Sequence, residues 1–274
     1  MVAAVLLLGH LLVAPTPSPA GTPPADLRVE PVEFPSRSGS LLRGWYMPGA
    51  GGRAGIILMH GVRANRRSMI GRARFLNAAA YSVLVFDFQA HGESPGTQIT
   101  FGHLEAFDAQ AAVTFLRSRL RGEPVGVLGS SLGGAAAVVG RQPLGVDALV
   151  LEAVYPTLAD AVSNRLAIRF GSIGRLLTPA LLLQVEPRLG FDPESLEPIV
   201  GVARVRCPVL VIAGSADTRT TLEESRQLFD AAPQPKEFWV VQGAGHVDFH
   251  RFARVEYERR VLTFFERYLA SGAG

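Results

Sequence analysis

Three side chains in this 274-residue chain have the types and settings that acyl-transfer chemistry needs: Ser131, Asp217 and His246. Ser131 lies in Gly129-Ser130-Ser131-Leu132-Gly133, between an apolar run at residues 124–128 and a small-residue run at 133–140. Glycines two places before and two after leave room for a sharp strand-to-helix turn that pushes the serine hydroxyl out of a sheet. Ser130 lacks that frame, because Leu128 and Leu132 occupy its flanking positions. A serine hydroxyl is a weak nucleophile until a base takes its proton, and an imidazole base needs a carboxylate to hold its tautomer. His246, in Gly243-Ala244-Gly245-His246, follows the last apolar run and offers such a base. Asp217, in Gly214-Ser215-Ala216-Asp217, follows the run at 208–213 and offers the acid.

Other titratable residues compete for these roles. Glu152 closes an apolar run and Asp248 lies two residues past His246, where a loop-capping role is expected. His60 and His91 stand beside glycines after strand-like runs and are expected to organise turns. His103 and His250 lack that context and are expected to be structural or at the surface. No histidine pair has metal-ligand spacing, and Cys207 is the single cysteine, so no intrachain disulfide, no bound metal and no cofactor is implied.

From residue 27 onward, short β-rich runs alternate with helical segments, the pattern of a mostly parallel twisted sheet covered on both faces. Residues 27–34 and 41–47 form an expected hairpin. Strands follow at 55–59, 82–88, 124–128, 148–154, 208–213 and 237–241, with helices at 68–80, 104–120, 133–140 and 255–269. The interval 156–206 is longer than a sheet crossover requires, and its apolar leucines suit a helical cap over the strand ends. Ligands of open α/β sheets bind at those ends.

Together these motifs resemble the α/β-hydrolase superfamily, in its serine hydrolase or serine aminopeptidase-like group. The resemblance runs from about residue 30 to 270. It rests on His60-Gly61, on Asp87 with His91-Gly92-Glu93-Ser94, on the elbow at Ser131, on the cap, on Gly214-Ser215-Ala216-Asp217 and on Gly243-Ala244-Gly245-His246. It implies an α/β-hydrolase fold and an oxyanion hole from the backbone N–H groups of Val62 and Leu132. It also implies a cofactor-free serine hydrolase that cleaves a carboxylic ester having an apolar portion, through an acyl-enzyme. An aminopeptidase or amidase of the same fold is the alternative, with Glu186, Glu194 or Glu197 available to receive an amino terminus. A catalytically silent binding protein is a third reading. Serine at the elbow separates the chain from dehalogenases and epoxide hydrolases of this fold, which place aspartate there.

Composition fits one globular domain over residues 27–274, with 48% hydrophobic and 19% charged residues. The net charge of +3 comes almost wholly from arginine. The densest basic run, Arg63, Arg66, Arg67, Arg72 and Arg74, lacks interleaved aromatics and is expected to be a solvated face, so no nucleic-acid partner is expected. Residues 1–26 differ. Positions 2–14 are almost wholly apolar and a proline-rich stretch follows, which reads as a signal-peptide or membrane-anchor candidate. Export or membrane association through this segment is the expectation, a cytoplasmic location the alternative, and the oligomeric state is open.

Overall fold

A computed structural model describes residues 2–50 and 52–270; Met1 of the signal-peptide or anchor candidate, and residue 51 and residues 271–274 of the expected domain, lie outside the described residues. The strands of the main sheet are β1 (Glu30–Pro35), β2 (Leu41–Met47), β3 (Gly55–Met59), β4 (Ser82–Phe86), β5 (Val125–Ser130), β6 (Ala148–Glu152), β7 (Val209–Gly214) and β8 (Lys236–Val241). Their spatial order is β8-β7-β6-β5-β3-β4-β2-β1. The β1–β2 and β2–β4 pairs are antiparallel, and every other pair in this sheet is parallel.

Parallel strands joined by helical crossovers are covered on both faces, which is why their sequences read as continuous apolar runs. Within β3 the sides alternate: Ile57 and Met59 join one core cluster, and Ile56 and Leu58 the other. Helices α3 (Glu105–Arg119), α4 (Leu132–Val138) and α9 (Leu222–Ala231) supply Leu116, Ala136 and Leu228 to the first cluster. Helices α2 (Ile70–Ala78) and α11 (Arg254–Tyr268) supply Leu76, Val261 and Phe265 to the second. The fold is therefore an α/β-hydrolase fold with helices on both faces. The strand expected at 82–88 stops at Phe86, because the Asp87 N–H turns to the Arg43 carbonyl and the Phe88 N–H to His60 Nε2. Helix α9 was absent from the sequence reading, although Thr221 and Glu224 form a capping box at its start.

Residues 156–206 hold α5 (Leu158–Phe170), α6 (Thr178–Leu182), α7 (Val185–Leu189) and α8 (Pro198–Val202), joined by short 3₁₀ turns. Thr157 starts α5 by accepting a hydrogen bond from the Asp160 N–H, and Gly171, at φ 69°, ends it. At the other end of the chain, α1 (Val2–Val13) packs on this helical layer. Gln184 and Arg188 donate to its Val5 and Leu6 carbonyls at 3.2 and 3.0 Å. The following segment lies against the loop after β4, where the Thr16 N–H reaches the Ala90 carbonyl and the Ser18 N–H that of Gly92. Among the described residues, no helix is long and apolar enough to cross a membrane.

Candidate active site

Ser131 occupies the junction between β5 and α4 with φ 50° and ψ −111°. Such a φ is costly for a residue with a Cβ and persists only where the surroundings enforce it. They do so here. The Ser131 N–H donates to the Glu152 carbonyl at 2.8 Å, tying the turn to β6. A Cβ at Gly129 would lie 2.5 Å from the Gly134 nitrogen, and one at Gly133 2.4 Å from the Met59 carbonyl oxygen. Only glycine lets α4 come this close to the sheet. The buried Ser131 hydroxyl has no hydrogen-bond partner among the described residues.

Asp217 follows β7 and His246 follows β8, two adjacent parallel strands whose ends bring both loops together. The Ala216 N–H donates to the Ala244 carbonyl at 2.9 Å and the Gly243 N–H to Ser215 Oγ at 2.8 Å. His246 Nδ1 lies 2.8 Å from Asp217 Oδ2. The other carboxylate oxygen accepts from the Arg219 and Thr220 N–H groups at 2.8 and 3.0 Å. A carboxylate so placed only accepts, so Nδ1 carries the imidazole hydrogen and Nε2 keeps its lone pair. The Asp217 side chain is fully buried, while that of His246 is 18% exposed and borders the cavity above the elbow.

The turn after β3 meets the elbow from the other side: a Cβ on Gly61 would be 3.7 Å from the Ser131 Cβ. His60 sets the direction of this turn. Its Nε2 accepts from the Phe88 N–H at 3.1 Å, so its Nδ1 must donate to the Gly61 carbonyl at 2.8 Å. The Gly61 carbonyl and the Val62 N–H belong to one planar trans peptide and point opposite ways. Pinning the first therefore aims the second, and both Val62 and Leu132 line the cavity. Leu132 is the first residue of α4, where N–H groups lack intrahelical acceptors. Burial, with the neighbouring His91 and Arg66 acting in the same direction, lowers the pKa of His60 to about 3. It is a neutral turn-former near pH 7.

The cavity has a volume of about 750 Å³. One face of α5 forms a wall through Leu158, Leu166 and Phe170, and Leu8 and Leu12 of α1 close another side. Glu186, Glu194 and Glu197 do not line it; Glu186 and Glu194 are exposed and Glu197 is half-buried. Glu152 does not line it either, and lies in a buried cluster, with Arg72 and Asp248 of the lining, that sequence reasoning missed. Arg72 contacts both Glu152 oxygens at 3.2 and 2.8 Å, the Tyr257 hydroxyl at 2.9 Å and Asp248 Oδ1 at 2.9 Å. Burial alone would weaken the hold of Arg72 on its proton, but Glu152, Tyr257 and Asp248 outweigh it and raise its pKa.

The basic run is accordingly not one solvated face. Arg66 and Arg72 are only 4% and 3% exposed, because Arg66 pairs with Asp87 and Glu93, and Arg72 with Glu152 and Asp248. The acids lie far away in sequence, on residues the local charge pattern does not reach. Asp248 caps α10 (Phe249–Phe252) by accepting from the His250 and Arg251 N–H groups. His250 is buried against Glu258, and His103 stacks on Phe191.

This strand order and this loop arrangement define an α/β hydrolase. A model of the alpha/beta hydrolase family matches residues 56–259, and the chain belongs to that family. Its relatives include the uncharacterized protein Rv2307c of Mycobacterium tuberculosis, 34% identical over 243 residues that cover 85% of this chain and 77% of the relative. The uncharacterized protein YfhR of Salmonella typhimurium is 26% identical over 271 residues, covering 90% of this chain and 85% of YfhR. Among solved structures, the esterase Pf2001 of Pyrococcus furiosus superposes with a TM-score of 0.77 at 24% identity. That match spans 94% of this chain and 99% of the esterase, and shows the shared fold. The family supports a hydrolase.

Proposed function

We propose that this chain is a cofactor-free serine hydrolase that cleaves a carboxylic ester through an acyl-enzyme. One observation carries the reading: a serine at a strained φ, its hydroxyl unpartnered among the described residues, lines the same cavity as an imidazole oriented by a buried carboxylate. Ser131 Oγ attacks the ester carbonyl carbon while His246 Nε2 takes its proton, and the carbonyl oxygen becomes an oxyanion. The N–H groups of Val62 and Leu132 receive that oxyanion, each such donor contributing about 10²–10³ in rate. Collapse breaks the ester C–O bond, and His246 returns the proton to the departing alcohol. Water then repeats the sequence and frees the acid. Asp217 stabilises the imidazolium in both halves.

An ester is favoured over a peptide by the cavity wall. An aminopeptidase needs a carboxylate for the substrate's free amino terminus, and the only carboxylate among the residues lining the cavity is Asp248, already engaged by Arg72. Purified protein assayed on p-nitrophenyl acyl esters and on amino-acid p-nitroanilides tests the assignment. Ester turnover abolished by Ser131→Ala and by a fluorophosphonate is expected. Turnover that survives Ser131→Ala would remove Ser131 as nucleophile, and silence on both substrates with no phosphonate labelling would leave a binding protein.

A further inference from the structure

Helix α5 borders the cavity through residues 158, 161, 162, 165 and 166 and, in its last turn, through 168, 169 and 170. The first five have the spacing of a helical stripe, and a wall of this kind is apolar by default. Two positions break the rule: Arg165 and Arg169. Arg165 is half-buried, and its one side-chain hydrogen bond goes from Nη1 to the carbonyl of Ala161, one turn back on its own helix, at 2.8 Å. Among the described residues no carboxylate lies within 4.0 Å of it. The acids that act on it from farther away are already engaged, Asp217 by His246 and Glu224 by Asn164 and the Thr221 N–H. Burial lowers its pKa, with Arg219 acting in the same direction, against Tyr155, Asp217 and Glu224.

The two deeply buried arginines show what this chain does when a guanidinium is enclosed for structural reasons: Arg66 and Arg72 each meet two carboxylates. Arg165 meets none. Arg63, Arg169 and Arg219 border the same cavity, also without a carboxylate within 4.0 Å among the described residues, but all three are exposed and Arg63 donates to the Leu11 carbonyl, so Arg165 alone of the four is enclosed. A desolvated cation without a counter-charge is costly, and a guanidinium fork suits phosphate and carboxylate oxygens. The cavity thus combines apolar walls with an uncompensated cationic side.

Resting on the serine-hydrolase reading above, we infer that the substrate is an acyl ester that also carries an anionic group, a phosphate or a carboxylate, received by Arg165 with Arg219 beside it. The acyl chain lies along the leucine-lined wall, and the anion belongs to the remainder of the molecule. Arg165 selects among substrates and takes no part in bond cleavage.

The test is a calorimetric titration of full-length Ser131→Ala protein with n-octyl phosphate, octanoate and neutral 1-O-octylglycerol. At least one anion is expected to bind tenfold or more tighter than the neutral amphiphile, with the difference shrinking as salt rises. Arg165→Gln should abolish that difference and Arg165→Lys should keep part of it. Which anion binds tighter separates a phosphate-bearing from a carboxylate-bearing substrate. Equal binding of all three probes by the Arg165-containing protein overturns the inference, whether or not the Arg165 variants fold, and so does an anion preference that persists unchanged in a folded Arg165→Gln protein. The serine-hydrolase reading is judged separately, by turnover of a neutral p-nitrophenyl ester in the wild type.

Discussion

His60 acts on the site through a peptide group rather than through its proton. By holding the Gly61 carbonyl at 2.8 Å it directs the Val62 N–H, so His60→Ala should lower kcat on a p-nitrophenyl ester by about tenfold or more with little change in KM. A parallel rise in KM, with kcat unchanged, would show that it shapes binding instead. Its protonation has a second consequence, for stability. With a folded value of about 3 against 6.5 unfolded, the unfolded chain binds more protons between those limits, and stability rises with pH across them. Asp108 opposes this. Burial pushes its carboxyl up to about 7, so between 3.8 and 7 the folded chain holds the extra proton and stability falls as pH rises. Asp108→Asn should therefore make stability climb more steeply with pH. Urea midpoints at pH 4.5 and 6.5 check it: the gain from the lower to the higher pH is expected to be larger in the variant.

Among elements, the strands that build the site were the most legible part of the sequence. A run such as 56–59 is apolar throughout because both faces of β3 are covered, and β3, β4, β6 and β7 end at or just before His60, Asp87, Glu152 and Gly214. Ser131, Asp217 and His246 all sit at such ends, so their convergence follows from strand order alone. What stayed hidden is the pairing that depends on separations of dozens of residues. Arg72 on α2 meets Glu152 on β6, Tyr257 on α11 and Asp248 in the His246 loop, and no local pattern links these positions. The cluster joins four elements at the cavity wall, where Arg72 and Asp248 line it. Arg72→Met should leave Glu152 buried and short of its countercharge, at a cost of about 3–5 kcal/mol. Adding Glu152→Gln should recover part of that loss, read from urea unfolding. A single Arg72→Met variant as stable as wild type would show that the cluster contributes nothing net.

At the scale of the whole molecule, the hydrolase core is independent of the segment that closes the cavity over it. Helix α1 touches the rest through α6, Gln184 and Arg188 and, at its C-terminal end, through Arg63 on the Leu11 carbonyl and the Ile99 N–H on the Val13 carbonyl, and none of its residues pairs with the eight-stranded sheet. Its Leu8 and Leu12 nevertheless face the cavity, while Leu6, Leu7 and Leu11 are exposed. Residues 16–20 keep their own anchors, at the Ala90 and Gly92 carbonyls and at Glu93. Deleting residues 2–14 should therefore leave unfolding cooperative while it removes one apolar wall and the carbonyls that accept from Gln184, Arg188, Arg63 and the Ile99 N–H. Burying an aliphatic side chain contributes about 1.5–3 kcal/mol when complete, so on the proposed ester-hydrolase reading the loss of two partly buried leucines from the cavity wall should matter most for long chains. The ratio of kcat/KM for a p-nitrophenyl decanoate to that for the butyrate is expected to fall by about tenfold in the shortened protein. An unchanged ratio would mean that acyl chains never reach α1 and lie wholly against α5.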